Sequence, residues 1–133
     1  MKFLILPVLF IFLALAVPGT AVPQFIGGQD FLGVAEVKEK SKRGSIRLGR
    51  GGAGYSGVVI EVPGGAEVVK RLTVQFADRT SESFSESRLK LHNGRSDALW
   101  FRSRDQVIER ISLLYIPDAG KHSGTEVRVY GIR

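Results

Sequence analysis

Polar and apolar residues alternate along most of this chain, and one alternating phrase is written twice. "VVKRLTVQF" begins at Val68 and "VIERISLLY" begins at Val107. Side chains on a strand point to opposite faces with period two. One face of the first copy then carries Val68, Lys70, Leu72, Val74 and Phe76, and the other carries Val69, Arg71, Thr73 and Gln75. The second copy divides into Val107, Glu109, Ile111, Leu113 and Tyr115 against Ile108, Arg110, Ser112 and Leu114. The copies therefore match by face as well as by letter. Each predicts a central strand of an antiparallel sandwich: three inward apolar residues ending in an aromatic, with an arginine and a hydroxyl outward. Two copies are too few for a repeat array.

Shorter stretches predict the remaining strands. Phe31 to Lys38 alternates weakly, with Leu32 and Val34 assigned to one side. "KEKSKRG" reads as a solvated turn and "SIRL" as a short strand. "GRGGAGYSG" predicts a loop, because glycine weakens both helix and strand. "VVIEV" is a β-branched strand ending in the turn "PGG". In "TSESFSESRLKLH" the apolar points are Phe84, Leu89 and Leu91. Asn93-Gly94 is a hairpin turn pair, which sets Lys90 opposite Asp97 and Leu89 opposite Ala98. "ALWF" and "TEVRVYGI" supply further strands, the latter with Thr125, Val127 and Val129 on one face. No convincing helical period follows the N-terminal segment. The expected fold is a single all-β antiparallel sandwich, jelly-roll-like, of about seven to eight strands over residues 31–133.

The N-terminus has a different character. In "MKFLILPVLFIFLALAVPGTAVP", Lys2 precedes an apolar run from Phe3 to Val17, and Gly19-Thr20-Ala21 offers small residues for cleavage. Fifteen helical residues span roughly 22 Å, short of a hydrocarbon core of about 30 Å. Residues 1–21 thus read as a cleaved signal peptide and 22–30 as a flexible lead-in, with no transmembrane anchor after cleavage. The expected location is periplasmic or secreted. No cysteine is present, which excludes disulfides, thiol catalysis and thiolate metal sites. The domain has to stand on packing alone.

Charge adds one expectation. The formal balance is +6, and removing Lys2 with the signal peptide leaves +5. Such a surface favours anionic neighbours, although net charge also serves simple solubility. An anionic envelope polymer or an acidic protein is the expected partner, and nucleic acid is not. Oligomeric state is left open.

Candidate chemistry is sparse. His92 with Asp97 and Ser96, or His122 with Asp118 and Ser123, has the composition of a catalytic triad, but residues so close in a loop seldom reach that geometry. Two isolated histidines without ligand spacing predict no metal site, and no cofactor motif is present. Glu82 and Glu86 lie in a serine-rich, solvated segment. The glycine-rich stretch lacks the ending of a phosphate-binding loop, yet its backbone can cradle an anion beside Arg47 and Arg50. "WFRSR" sets Trp100 beside Arg102 and Arg104, a combination that stacks on sugars or bases, although tryptophan is more often a core residue. Arg71 and Arg110 read either as twin ligand-binding residues or as outer-face charges paired with acids such as Glu61 or Glu126.

"FLGVAEV", "VKRLTVQF", "ALWF", "RDQVIERISLLY" and "TEVRVYGIR" together resemble the YaaI-like family of small exported bacterial proteins. That resemblance implies export, a compact β-sandwich and no assigned activity, so it brings no catalytic residues onto this chain. The expected function is a non-enzymatic binding or accessory module for an anionic envelope component or a protein partner. Its expected ligand-binding residues are Arg47, Arg50, Trp100, Arg102 and Arg104. A small exported hydrolase acting on envelope polymers is the alternative.

Overall fold

The computed structural model describes residues 29–48 and 52–133. The expected signal peptide, the lead-in up to residue 28, and Arg50 lie outside the described residues. Eleven strands run through the described residues: β1 (Gln29–Glu36), β2 (Arg43–Arg47), β3 (Gly54–Tyr55), β4 (Gly57–Glu61), β5 (Val69–Phe76), β6 (Ser81–Ser85), β7 (Leu91–His92), β8 (Arg95–Ser96), β9 (Leu99–Trp100), β10 (Gln106–Tyr115) and β11 (Glu126–Ile132). Two short 3₁₀ turns, Glu86–Arg88 and Ala119–His122, supply the helical content. The count exceeds the seven or eight expected because four of these strands hold only two residues.

The two copies of the doubled phrase pair with each other. β5 and β10 run antiparallel with Thr73 opposite Ser112, Leu72 opposite Leu113, and Val74 opposite Ile111. Thr73 thus faces its own equivalent, Ser112, and the pairs on either side are related by a local pseudo-twofold axis at that point. The symmetry extends to the ends, where Ala77 N–H donates to Val107 O at 2.8 Å and Ile116 N–H to Val68 O at 2.9 Å. It also includes a fault in each strand. Tyr115 pairs with Val69 and Leu114 with Arg71, which leaves Lys70 unopposed; Ile108 pairs with Phe76 and Arg110 with Gln75, which leaves Glu109 unopposed. These are β-bulges at the same position of the phrase.

The bulges correct strict alternation. Beyond each bulge the inward set shifts by one residue, so Val69 and Ile108 are buried while Lys70 and Glu109 are exposed. Leu72, Val74, Phe76, Ile111, Leu113 and Tyr115 point into the core as expected. A third fault falls in β1, where Val129 pairs with Gly33 but Tyr130 with Phe31. Leu32 therefore packs on the core while Val34 faces out, rather than both sharing a side.

One sheet is ordered β2-β10-β5-β6, with β3 also on β10; the other is ordered β1-β11-β4-β8-β7, with β9 also on β4. The outermost and innermost segments of the chain are interleaved in both sheets, which is jelly-roll topology. Inner faces interdigitate: Ile60, Leu99 and Val129 of one sheet meet Leu72, Ile111 and Leu113 of the other in a single apolar cluster. Among the described residues no helix is long and apolar enough to cross a membrane.

The glycine-rich stretch is corrected where it is described. Gly54 begins β3 and Gly57 begins β4. A Cβ at Gly57 would stand 2.7 Å from Leu99 O, and one at Gly54 would stand 3.0 Å from the Asp105 backbone. These glycines serve close backbone approach between strands, not loop freedom. The Asn93-Gly94 turn forms as expected, with φ of 53° and 82°. His92 pairs with Arg95 and Leu91 with Ser96, but the ladder ends there. Leu89 instead caps the first 3₁₀ turn and is buried.

Removing a methyl-rich side chain from the paired centre is expected to be costly, and trimming the outward arginine is not. Leu113→Ala and Leu72→Ala each lose about 3 kcal/mol in urea unfolding, whereas Arg71→Ala stays within about 0.5 kcal/mol. Equal losses for Arg71→Ala and Leu72→Ala would contradict the facial assignment.

Candidate functional site

The register of β2, β10, β5 and β6 arranges the outer face of that sheet as a grid. Its central row is Ser45, Ser112, Thr73 and Ser83, one hydroxyl from each strand. Two residues along the strands in one direction the row reads Arg43, Leu114, Arg71 and Ser85; in the other it reads Arg47, Arg110, Gln75 and Ser81. Each strand contributes by period two alone: Arg43, Ser45 and Arg47 alternate outward in "RGSIR". No carboxylate stands at any grid position. The two arginine-bearing rows lie four residues apart, about 13 Å along a strand. A shallow groove of about 620 Å³ runs between them, lined by Arg43, Ser45, Arg71, Thr73, Arg110 and Ser112.

The expected pairing of Arg71 and Arg110 with Glu61 or Glu126 does not occur. Glu61 lies on the other sheet, where it meets Arg95 at 3.4 Å and Arg128 at 3.8 Å. Glu126 meets Arg128 at 3.0 Å. Among the described residues, Arg43, Arg47, Arg71 and Arg110 have no carboxylate within ion-pairing distance. Charge is thus segregated by sheet, with paired cations on one outer face and unpaired cations on the other. Two bulge residues edge the grid. Glu109 accepts a long 3.4 Å hydrogen bond from Gln75 Nε2 at one end. Lys70, at the other, lines a second groove with Lys40, Lys42, Glu39 and Leu114. Leu114 borders both grooves, so the basic grid adjoins Lys70, Lys40 and Lys42, with Glu39 among them.

Guanidinium groups bind carboxylate, phosphate and sulfate through paired N–H donors, and hydroxyls beside them add further donors. The hydroxyl row is already ordered at one step, where the Thr73 and Ser83 hydroxyls lie 2.9 Å apart. The face therefore has the chemistry to hold an extended anion.

Of the five residues expected to bind ligand, Arg50 lies outside the described residues, and the other four do not form one group. Arg47 belongs to the basic grid. Trp100 and Arg104 line a separate depression with Ser56, Phe101 and Arg133, at the other sheet's edge. Arg102 is exposed, and its backbone N–H donates to the Glu82 carboxylate at 2.8 Å. The core reading of Trp100 is overturned. Trp100 is 56% exposed, while Phe101 is buried and meets Phe76 edge-on at 4.9 Å. In β9, Leu99 turns inward opposite Val58 and Trp100 turns outward opposite Gly57. Thr73 and Ser112 were expected to face outward, but Arg43, Ser45 and Ser83 were not singled out from sequence, although the outward Arg-x-Ser-x-Arg alternation in β2 signals the first two.

Neither histidine triad assembles. His92 and His122 are exposed and make no hydrogen bond to an acid or serine among the described residues. The Ser96 hydroxyl accepts from Ile60 N–H at 3.0 Å and donates to Asp97 O at 2.9 Å, so it serves the backbone. No group of three histidine or acidic side chains placed to hold a metal occurs among the described residues.

Beside the Trp100 depression, Arg133 closes the chain onto β1. Its Nη2 lies 2.6 Å from Asp30 Oδ2, and Tyr55 donates to the same oxygen at 3.0 Å. The hydrogen bond from Arg133 holds the Asp30 carboxyl below its ordinary range, against an opposing push from burial. Burial, followed by the Asp30 contact, raises the Tyr55 hydroxyl. Comparison with protein-family models, with curated proteins and with solved structures returns no match.

Because the Asp30 value is lowered on folding, its stabilisation is complete above the ordinary carboxylate value of 3.8 and is lost as the pH falls below it. Asp30→Asn is expected to lower Tm near neutral pH and to shrink the drop in Tm between pH about 5 and 2. A variant whose acid limb stays parallel to that of the parent would show that Asp30 is not a coupled group.

Proposed function

We propose that this protein is an exported, non-enzymatic binding module whose basic sheet face takes an extended anionic polymer of the cell envelope. The observation that carries this reading is the twelve-position grid on β2, β10, β5 and β6, with four arginines around a hydroxyl row and no carboxylate. A face serving only solubility gains nothing from excluding acids, since interspersed charges of both signs keep a protein soluble equally well. The opposite sheet, in the same molecule, pairs its arginines. Breadth also favours a polymer: four strands span about 14 Å across the sheet, more than one small anion fills. The apolar N-terminal run ending in Gly19-Thr20-Ala21 supports export, as does the resemblance to the YaaI-like proteins, which we take as part of the same proposal.

Binding of a sulfated or uronic-acid polysaccharide, titrated at low and high salt, tests the reading. The parent protein is expected to bind at low ionic strength and to weaken steeply with added salt. Arg71→Glu with Arg110→Glu is expected to weaken binding about tenfold or more at low salt and to flatten the salt dependence. Arg79→Glu with Lys90→Glu changes net charge equally at positions outside the twelve of the grid. Equal loss in that control, or no binding by the parent at low salt, would sink the proposal.

A further inference from the structure

Trp100 is built as a platform and not merely left exposed. β9 is held on both sides of the indole: Leu99 is fully buried opposite Val58, and Phe101 N–H donates to Ser56 O at 2.9 Å. Between them the indole turns outward over Gly57, its cross-strand partner. A Cβ at Gly57 would lie 3.1 Å from Trp100 Cε3, so the ring rests against bare backbone and its remaining surface is open. An aromatic fixed in this way loses little freedom when a flat apolar ligand surface covers it.

The surroundings of the ring narrow the ligand. The depression beside it holds about 480 Å³ and is lined by Ser56, Arg104 and Arg133 as well as the two aromatics. Arg133 is committed to Asp30, whereas Arg104 has no carboxylate partner among the described residues. The site thus combines one stacking surface, one hydroxyl and one available guanidinium. A second exposed aromatic, Phe31, lies on the same outer face. It packs edge-on against Tyr130 with centroids 5.6 Å apart. Phe31 and Trp100 stand three strands apart, about 14 Å at the usual strand spacing.

We infer that Trp100 is the stacking platform of an acidic-saccharide subsite, with a pyranose ring on the indole and its carboxylate or sulfate on Arg104. The apolar C–H face of a pyranose matches an indole, and its ring hydroxyls suit Ser56. A nucleobase would use the same ring, but a strand of bases calls for several stacked aromatics along a basic track. Tyr130 and Glu61, the groups between Phe31 and the neighbouring strands, are tied to Arg95 and Arg128 instead. The inference goes beyond the polymer-binding face, which lies on the opposite sheet, and stands or falls separately from it.

The protein contains a single tryptophan, so its fluorescence reports on this site alone. The experiment titrates the full exported chain with a uronic-acid oligosaccharide, a neutral oligosaccharide of equal length and a single-stranded oligonucleotide. The Arg71→Glu/Arg110→Glu variant is used as background, so that binding at the basic face is weakened, and tryptophan emission reads the other sheet. The acidic oligosaccharide is expected to shift or quench the emission, and the neutral one to do so about tenfold more weakly. Arg104→Gln is expected to bring the two affinities together. Trp100→Ala, followed by calorimetry, is expected to lose binding, with Trp100→Phe retaining part of it. Three results would overturn the inference: unchanged affinity in Trp100→Ala, an emission change with the oligonucleotide alone, or no change with any of the three ligands.

Discussion

The antiparallel pairing of β5 with β10 is the constraint on which the rest of this structure depends. Its register decides which residues are buried and which are displayed. Thr73 opposite Ser112 sends Leu72, Val74, Ile111 and Leu113 into the core and sends Arg71, Arg110 and the hydroxyls to solvent. A slip of one residue would exchange these faces wholesale. The bulges at Lys70 and Glu109 hold the register from both ends, since each absorbs an extra residue at a charged position that has no place inside. Without cysteine to staple the sheets, this pairing and the apolar cluster it builds have to carry the fold.

Much of that was legible in the chain, and the gaps have physical causes. The fold class followed from alternation, and so did the inward triplets of both copies, because burial demands period two wherever one face is wet. Alternation carries no marker for a bulge, so the shifted ends of the phrase and the divided Leu32 and Val34 were not readable. The glycines of "GRGGAGYSG" gave an ambiguous signal. Glycine suits both a free loop and a backbone approached too closely for any Cβ, and only the neighbours Leu99 and Asp105 distinguish the two. Trp100 failed for a related reason. Adjacent aromatics on a strand must face opposite ways, so only one of Trp100 and Phe101 enters the core, and residue size does not say which.

The candidate sites were less legible than the fold, because a site is assembled across strands. Arg71 and Arg110 were visible as equivalent outward residues in the doubled phrase. Their relation to Arg43, Ser45 and Ser83 depends on which strands are neighbours, and those strands are distant in the chain. The expected cluster of Arg47 with Arg102 and Arg104 followed chemistry without topology. The jelly roll instead sends Arg47 to one sheet and the Trp100 segment to the other.

That separation gives the molecule its asymmetry. Glu61, Glu126 and Asp30 all sit on or against the β1-β11-β4 sheet, where they neutralise Arg95, Arg128 and Arg133. Ion pairs that stay partly exposed, as these do, contribute modestly to stability individually. Their larger effect is to leave the arginines of the opposite face without carboxylate partners, so that cations outnumber the one acid, Glu109, at the edge of the grid. The pseudo-twofold axis sharpens the same point. Two strands that agree in the apolar character of their inward residues differ at the bulge, Lys70 in one and Glu109 in the other, and Lys70 stands at the end where Lys40, Lys42, Glu39 and Arg43 also lie. Burial alone would not distinguish lysine from glutamate at an exposed bulge, so the difference bears on the surface and not on the core.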